Sequence, residues 1–184
     1  MCGIVGAVDN KGLNEETLRE MRDAMIHRGP DDAGLWISQN REVGLAHRRL
    51  SIIDLSEAGR QPMSDNEKRI WVTYNGEIYN FIGIRKELEG KGYKFKSKSD
   101  TEVIITAYKE WGTECLQKFN GMFAFGIYDD REKLIFLARD RIGKKPLYYI
   151  QNGDTTYFAS ERKALWRIGA TNARAQEPGS VIKF

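Results

Sequence analysis

Only two cysteines and two histidines occur in the 184 residues. No Cys-x-x-Cys pair is among them, so there is little from which to build a metal cage or a disulfide framework. No apolar stretch approaches the roughly 20 residues that a membrane-spanning helix needs. The opening "GIVGAVD" is too short for a signal peptide and runs at once into polar residues. A strong charge of either sign is also missing. The 29 basic and 26 acidic residues leave a net +3, scattered apart from clusters such as Lys94, Lys96 and Lys98. That balance argues little for nucleic acid, and no RRM, KH, zinc-finger or helix-turn-helix pattern is present. These absences point to a reducing, cytoplasmic setting with neither a membrane nor a nucleic acid as partner.

What is present is ordinary for a folded domain. Hydrophobic residues make up 41% and charged residues 30%, enough to fill a core. "GIVGAV" at 3–8 reads as a buried strand, followed by a turn over Asp9–Gly12. Glu15 to Ile26 has helical spacing, with Leu18, Met21 and Met25 on one face and Asn14 as a candidate cap. "HRGPDDAG" at 27–34 reads as a loop, punctuated by Gly29-Pro30. "GLWIS" and "EVGLAHRRLSII" are strand-like. "RIWVTYNGEIYN" reads as a strand running into a Gly-containing turn and then a helix that carries Ile84 and Leu88. "YKFKS" alternates at period two and predicts a half-exposed strand. Thr101 to Trp111 predicts a helix with Val103, Ile104, Ala107 and Tyr108 inward and Asp100 as its cap. "MFAFGIY" and "LIFLA" predict a hairpin joined through Asp129–Lys133. "LYYI", "TTYFA" and "SVIKF" are further strands, and Ser160 is a candidate cap for a short helix around Leu165. Cys115, among Trp111, Leu116 and Phe119, reads as a buried helical cysteine. Strands at both ends with helices in blocks between them suit two packed sheets with helices outside.

The other cysteine is the unusual one. Cys2 stands directly behind Met1, at a chain end, where residues are usually mobile. Removal of Met1 would leave a thiol and an α-amine on one residue, with unperturbed pKa values of about 8.5 and about 8. The amine can take the thiol proton, the thiolate can attack an acyl carbon, and the amine can protonate the leaving group. Taken alone, Cys2 reads more readily as an incidental residue than as a nucleophile.

Three other stretches carry a chemical and a plain structural reading side by side. "NGE" at 75–77 offers an Asn amide and a Gly backbone N–H as oxyanion donors, or a hairpin turn. In "HRRLSII", period two sends Arg48 and Arg49 to opposite faces. An inward arginine needs a carboxylate, from a ligand or from the protein itself. Asp100 and Glu102 are acidic partners for an ammonium, or helix-start residues. Together these features suggest a site for an α-amino acid whose side-chain amide is presented to a thiolate.

The stretches "MCGIVG", "HRGPD", "HRRLSIID", "YNGEIYN", "SDTEVI", "NGMFAFGIYD", "ARDRIGKKPLYY" and "FASERKAL" resemble, in that order and over nearly the whole chain, the class II glutamine amidotransferases of the N-terminal nucleophile hydrolase group. They are most similar to the glutaminase domain of glutamine-hydrolysing asparagine synthetases. The resemblance implies an α+β fold, a four-layer αββα sandwich of the N-terminal nucleophile hydrolase type, with Cys2 at the edge of a sheet. It implies Cys2 as nucleophile and its α-amine as proton carrier, with Asn75 and Gly76 as oxyanion donors. It implies Arg49 on the glutamine α-carboxylate, Glu77 and Asp100 on the ammonium, and Leu50, Ile52 and Ile53 lining the pocket. Arg48 receives no catalytic role.

The implied reaction is hydrolysis of L-glutamine to glutamate and ammonia, with no cofactor or metal in this domain. ATP and Mg2+ are expected for a synthetase domain that consumes the ammonia, and a homodimer for the full-length protein. No "SGGxDS"-like loop and no P-loop occurs here, so residues 2–184 read as the amidotransferase domain of a longer chain. Asparagine synthesis from aspartate is the expected use. A sugar or peptide acceptor, or a non-catalytic glutamine-binding domain, is the alternative.

Overall fold

The computed structural model describes residues 1–51 and 57–184. Two antiparallel sheets form its middle. One contains β1 (Gly3–Val8), β2 (Asp32–Ile37), β3 (Val43–Arg49), β8 (Tyr148–Asn152), β9 (Thr155–Ala159) and β10 (Arg174–Ala175). Its spatial order is β10-β8-β9-β1-β3-β2. The other contains β4 (Met63–Ser64), β5 (Ile70–Ile78), β6 (Gly121–Asp129), β7 (Leu134–Arg139) and β11 (Val181–Lys183), in the order β11-β7-β6-β5-β4. Helices α1 (Glu15–Asp23) and α5 (Arg162–Trp166) cover the first sheet. Helices α2 (Phe81–Gly90) and α3 (Asp100–Trp111), with the short α4 (Cys115–Lys118), cover the second. The layers therefore run α, β, β, α, as the resemblance implied.

Both faces of each sheet are buried, so the central strands are apolar almost throughout rather than alternating with polar residues. β1 sends Ile4 between the sheets, and Val5 and Ala7 beneath the first helical layer. β6 sends Phe123, Phe125 and Ile127 under α2 and α3. Between the sheets Ile4, Leu45, Ala124, Leu137 and Phe158 form a dry core. Phe158 fills it because β1 and β6 each present a glycine to its ring. A Cβ on Gly6 would lie 2.1 Å from the ring, and one on Gly126 2.6 Å.

Local signals fix most boundaries. The Asn14 side chain accepts from the Glu16 N–H at 2.8 Å and starts α1, and Glu15 and Glu16 sit favourably at the positive end of its dipole. That helix ends at Asp23, short of Ile26, because the chain tightens into a 3-10 turn over Ile26–Arg28. β2 begins at Asp32, inside the stretch expected as loop, and pairs with β3 from Asp32↔Arg49 onward. The cap of α3 is Ser99, which accepts from the Thr101 N–H at 3.1 Å, and Asp100 is freed for another role. Ser160 caps nothing: its hydroxyl accepts from the Ile4 N–H at 3.0 Å and joins the chain ends. Residues 93–97 are not a strand. Tyr93 and Phe95 pack on the core, and the Lys96 and Ser97 N–H groups donate to Glu102 instead of to a neighbouring strand.

Truncating the ring that fills the inter-sheet core tests this packing. Phe158→Ala is expected to cost about 3–5 kcal/mol of unfolding free energy, read by urea denaturation. A loss under about 1 kcal/mol would mean that the sheets close over the gap.

Candidate active site

Cys2 precedes β1, and β1 lies inside its sheet between β9 and β3. The cysteine thus stands at the end of a central strand, not at the lateral edge of the sheet. Its thiol is tied to the segment that leaves β3: the Leu50 N–H points at Sγ from 3.4 Å, and the Leu50 carbonyl lies 3.7 Å away. The Cys2 carbonyl accepts from Arg28 Nε at 2.8 Å, and Arg28 Nη1 in turn pairs with Glu161 at 2.8 Å. A cavity of about 210 Å³ opens beside the thiol, lined among others by Arg49, Asn75, Gly76, Glu77, Asp100 and Lys145.

β5 forms the facing wall. It runs unbroken through Asn75, Gly76 and Glu77, which pair with Ala124, Phe123 and Met122 of β6. No turn forms there, because nine paired residues outweigh a two-residue turn preference. On its other side β5 loses its neighbour, since β4 pairs only with Val72 and Trp71. In an antiparallel strand the N–H groups alternate sides. Those of residues 74, 76 and 78 face the open side. The Tyr74 N–H is taken by Gln61 Oε1 at 2.7 Å, and the Ile78 N–H by Asp100 Oδ2 at 3.0 Å. The Gly76 N–H, between them, faces the cavity. A side chain here is excluded, since a Cβ would lie 2.3 Å from the Met122 carbonyl oxygen. Asn75 is 2% exposed, and among the described residues its Nδ2 has no hydrogen-bond partner. A buried, unmet amide donor is costly. Two donors therefore face one space beside a thiol.

The charged walls follow. Arg48 and Arg49 leave β3 on opposite faces, yet both are buried, because both faces of the sheet are covered. Arg48 donates to the Gly29 carbonyl at 3.0 Å and reaches Asp23, a purely structural set of contacts, whereas Arg49 lines the cavity. Asp100 lines the same cavity and also accepts from the Tyr74 hydroxyl at 2.7 Å. Burial pushes the Asp100 carboxyl above its ordinary value, against the Tyr74 and Ile78 donors that pull it down. Glu77 lines the same space. Burial also pushes the Cys2 thiol up, opposed by the Leu50 N–H and by the positive charges of the chain terminus, Arg49 and Arg28.

Neither histidine is placed to act as base. His47 is buried between the sheets, bonds the Tyr74 carbonyl at 3.0 Å, and is pushed down to about 4 by burial. His27 pairs with Glu161 at the surface. Among the described residues no group of three His, Cys, Asp or Glu side chains is placed to hold a metal, and no helix is long and apolar enough to cross a membrane.

Cys2, Arg49, Leu50, Asn75, Gly76, Glu77 and Asp100 thus share one cavity. Ile52 and Ile53 lie outside the described residues. The sequence reading passed over Tyr74, Gln61, Arg28 and Lys145. Arg28 and Lys145 sit in "HRGPD" and "GKKPLYY", but nothing local in those strings announces a buried cation.

The model of the glutamine amidotransferase domain family matches residues 1–181. The chain belongs to that family. It is 45% identical over 170 residues to asparagine synthetase [glutamine-hydrolyzing] 1 of Bacillus subtilis, covering 90% of this chain and 26% of that protein. It is 43% identical over 171 residues to asparagine synthetase B of Escherichia coli, covering 90% and 30%. A relative named amidase chry2, from Gibberella zeae, is 36% identical over 181 residues, covering 92% and 27%. The chain thus spans under a third of the length of each of these three relatives. Among solved structures, glutamine phosphoribosylpyrophosphate amidotransferase from B. subtilis superposes with a TM-score of 0.82 at 24% identity. It covers 99% of this chain and 47% of that one, a likeness of fold.

The Asp100 titration is directly measurable. By carboxyl-detected NMR its pKa is expected above the ordinary 3.8, and Tyr74→Phe, which removes a donor to the charged form, is expected to raise it further. An unmoved or lower value in Tyr74→Phe would mean that the hydroxyl does not stabilise the carboxylate.

Proposed function

We propose that this domain hydrolyses the side-chain amide of L-glutamine to glutamate and ammonia through a thioester on Cys2. The observation that carries the proposal is Asn75 Nδ2, which has no hydrogen-bond partner among the described residues, next to the Gly76 N–H on the open side of β5, in the cavity that Cys2 also lines. A site that merely held glutamine would gain nothing from keeping a buried amide donor unsatisfied.

The thiol proton passes to the α-amine of Cys2, and Sγ bonds to the amide carbon, whose oxygen becomes negative between the two donors. The amine then returns the proton to the amide nitrogen as the carbon–nitrogen bond breaks, and ammonia leaves. Water, activated by the same amine, cleaves the thioester to glutamate and the free thiol. Burial opposes ionisation of the thiol, and a base on the same residue offsets that cost. In the chain as written the Cys2 nitrogen is bound to Met1, which itself lines the cavity, so the active form begins at Cys2. Arg49 holds the α-carboxylate of glutamine, and Asp100 with Glu77 holds its ammonium. Leu50 lines the pocket and aligns the thiol.

The kinship with glutamine-hydrolysing asparagine synthetases supports a further step. The ammonia goes to an ATP- and Mg2+-using synthetase domain, which makes asparagine from aspartate in the cytoplasm within a longer, homodimeric protein. A sugar or peptide in place of aspartate as the ammonia acceptor is the second reading; one relative is named an amidase rather than a synthetase.

Ammonia release from L-glutamine, by protein whose intact mass shows Met1 removed, tests the core of this. Cys2→Ala is expected to abolish turnover while glutamine still binds. Asn75→Ala is expected to lower kcat about 10²–10³-fold with less effect on KM. Turnover that survives in Cys2→Ala would rule out the thioester.

A further inference from the structure

Lys145 is a buried cation that no role described above accounts for. It is 6% exposed and lines the cavity together with Cys2. Among the described residues its ammonium forms no ion pair with a carboxylate, and its one hydrogen bond is to Met1 Sδ at 3.4 Å. An unpaired buried charge is a standing cost to stability, and such a cost inside a cleft is a mark of function.

The backbone around it is built to aim it. Asp140, fully buried, accepts from the N–H groups of Phe123, Ile142, Lys144 and Lys145, at 3.2, 3.3, 2.8 and 2.9 Å. The Lys145 carbonyl accepts from Arg139 Nε at 2.7 Å. Gly143 makes the tight turn at a φ of 67°. Asp140 is spent on four backbone donors and, among the described residues, forms no ion pair with the ammonium, although its charge favours the protonated form. The loop therefore fixes Lys145 against the residue whose removal exposes the Cys2 amine.

We infer that Lys145 is a positioning residue for protons: its ammonium faces the freed α-amine of Cys2, keeps that amine unprotonated and favours the Cys2 thiolate. This rests on the glutaminase reading. A positive neighbour opposes protonation of an amine and favours ionisation of a thiol. The other charged groups around this corner are Arg28 from the 3-10 turn, Arg49 from β3, Glu77 from β5, Asp100 from α3 and Asp140 from the turn after β7. Arg28 and Arg49 act in the same direction but are engaged elsewhere, Arg28 by the Cys2 carbonyl and Glu161. Burial, and after it the nearness of Arg28, pulls the Lys145 ammonium below its usual value, against the opposing pull of Cys2, Asp140 and Glu77. The substrate contacts assigned above do not include it, so glutamine affinity is not its task.

The test is the pH dependence of kcat/KM for glutaminase turnover, which reports the free enzyme's base, in Met1-free protein and its Lys145→Met and Lys145→Arg variants. The acid limb of Lys145→Met is expected to move up by about one pH unit, a tenfold loss on that limb. The KM for glutamine is expected to stay within about twofold, and Lys145→Arg to restore the limb. The alkylation rate of Cys2 by iodoacetamide against pH, which needs no turnover, is expected to shift the same way. An active wild type whose limb and alkylation profile do not move in Lys145→Met overturns this inference alone. A processed wild type with no turnover removes the glutaminase reading and this inference with it.

Discussion

The site depends on the early end of one strand. β4 pairs with β5 only as far as Val72, so the outward N–H groups of the next residues must find partners elsewhere or stay costly. Two side chains from distant parts of the chain, Gln61 and Asp100, meet two of them. The third, on Gly76, faces the cavity, and glycine is obligatory there because the neighbouring strand leaves no room for a Cβ. Asp100 is thereby both a backbone cap for Ile78 and a wall of the cavity. This double duty explains why Ser99 rather than Asp100 caps α3.

The second feature is the excess of buried positive charge around a cysteine. Arg28, Arg49 and Lys145 are each under a tenth exposed. Arg28 is met by a carboxylate and a carbonyl, and Lys145 by a thioether sulfur. A fold under selection for stability alone would replace such cations with apolar residues, often with no loss. Their presence next to a thiol that burial makes reluctant to ionise is intelligible as compensation. The same low dielectric that raises the thiol pKa also strengthens the field of every nearby cation.

Much of the fold was legible because it is local. The run "GIVGAV", the Asn14 cap, the hairpin after Asp129 and the apolar face of α3 each carry their signal within a dozen residues, and each stands where periodicity and capping place it. The errors fall where a distant partner decides. "YKFKS" has a strand's alternation but no strand to pair with, and Glu102 captures its N–H groups. "NGE" has a turn's residues but lies within a long pairing with β6. The cavity residues known from motifs came together because the resemblance covers nearly the whole chain. Lys145 and Tyr74 were missed because burial, not residue type, makes them informative, and burial is settled by the two sheets closing on each other.

That closure also bears on how an α-amino acid is recognised. Arg49 ends a strand of one sheet, Asp100 starts a helix packed on the other, and Cys2 precedes a strand of the first while Asn75 and Gly76 belong to the second. Neither sheet alone holds a complete set of charges for a carboxylate, an ammonium and an amide. On the proposed reading, glutamine is bound only by the assembled sandwich, so binding it must stabilise the folded form against the unfolded chain. Selectivity then follows from length as well as charge. With the α-carboxylate and the α-ammonium held by Arg49 and Asp100, only a side chain that spans from the α-carbon to the thiol brings its amide carbon within reach of Sγ.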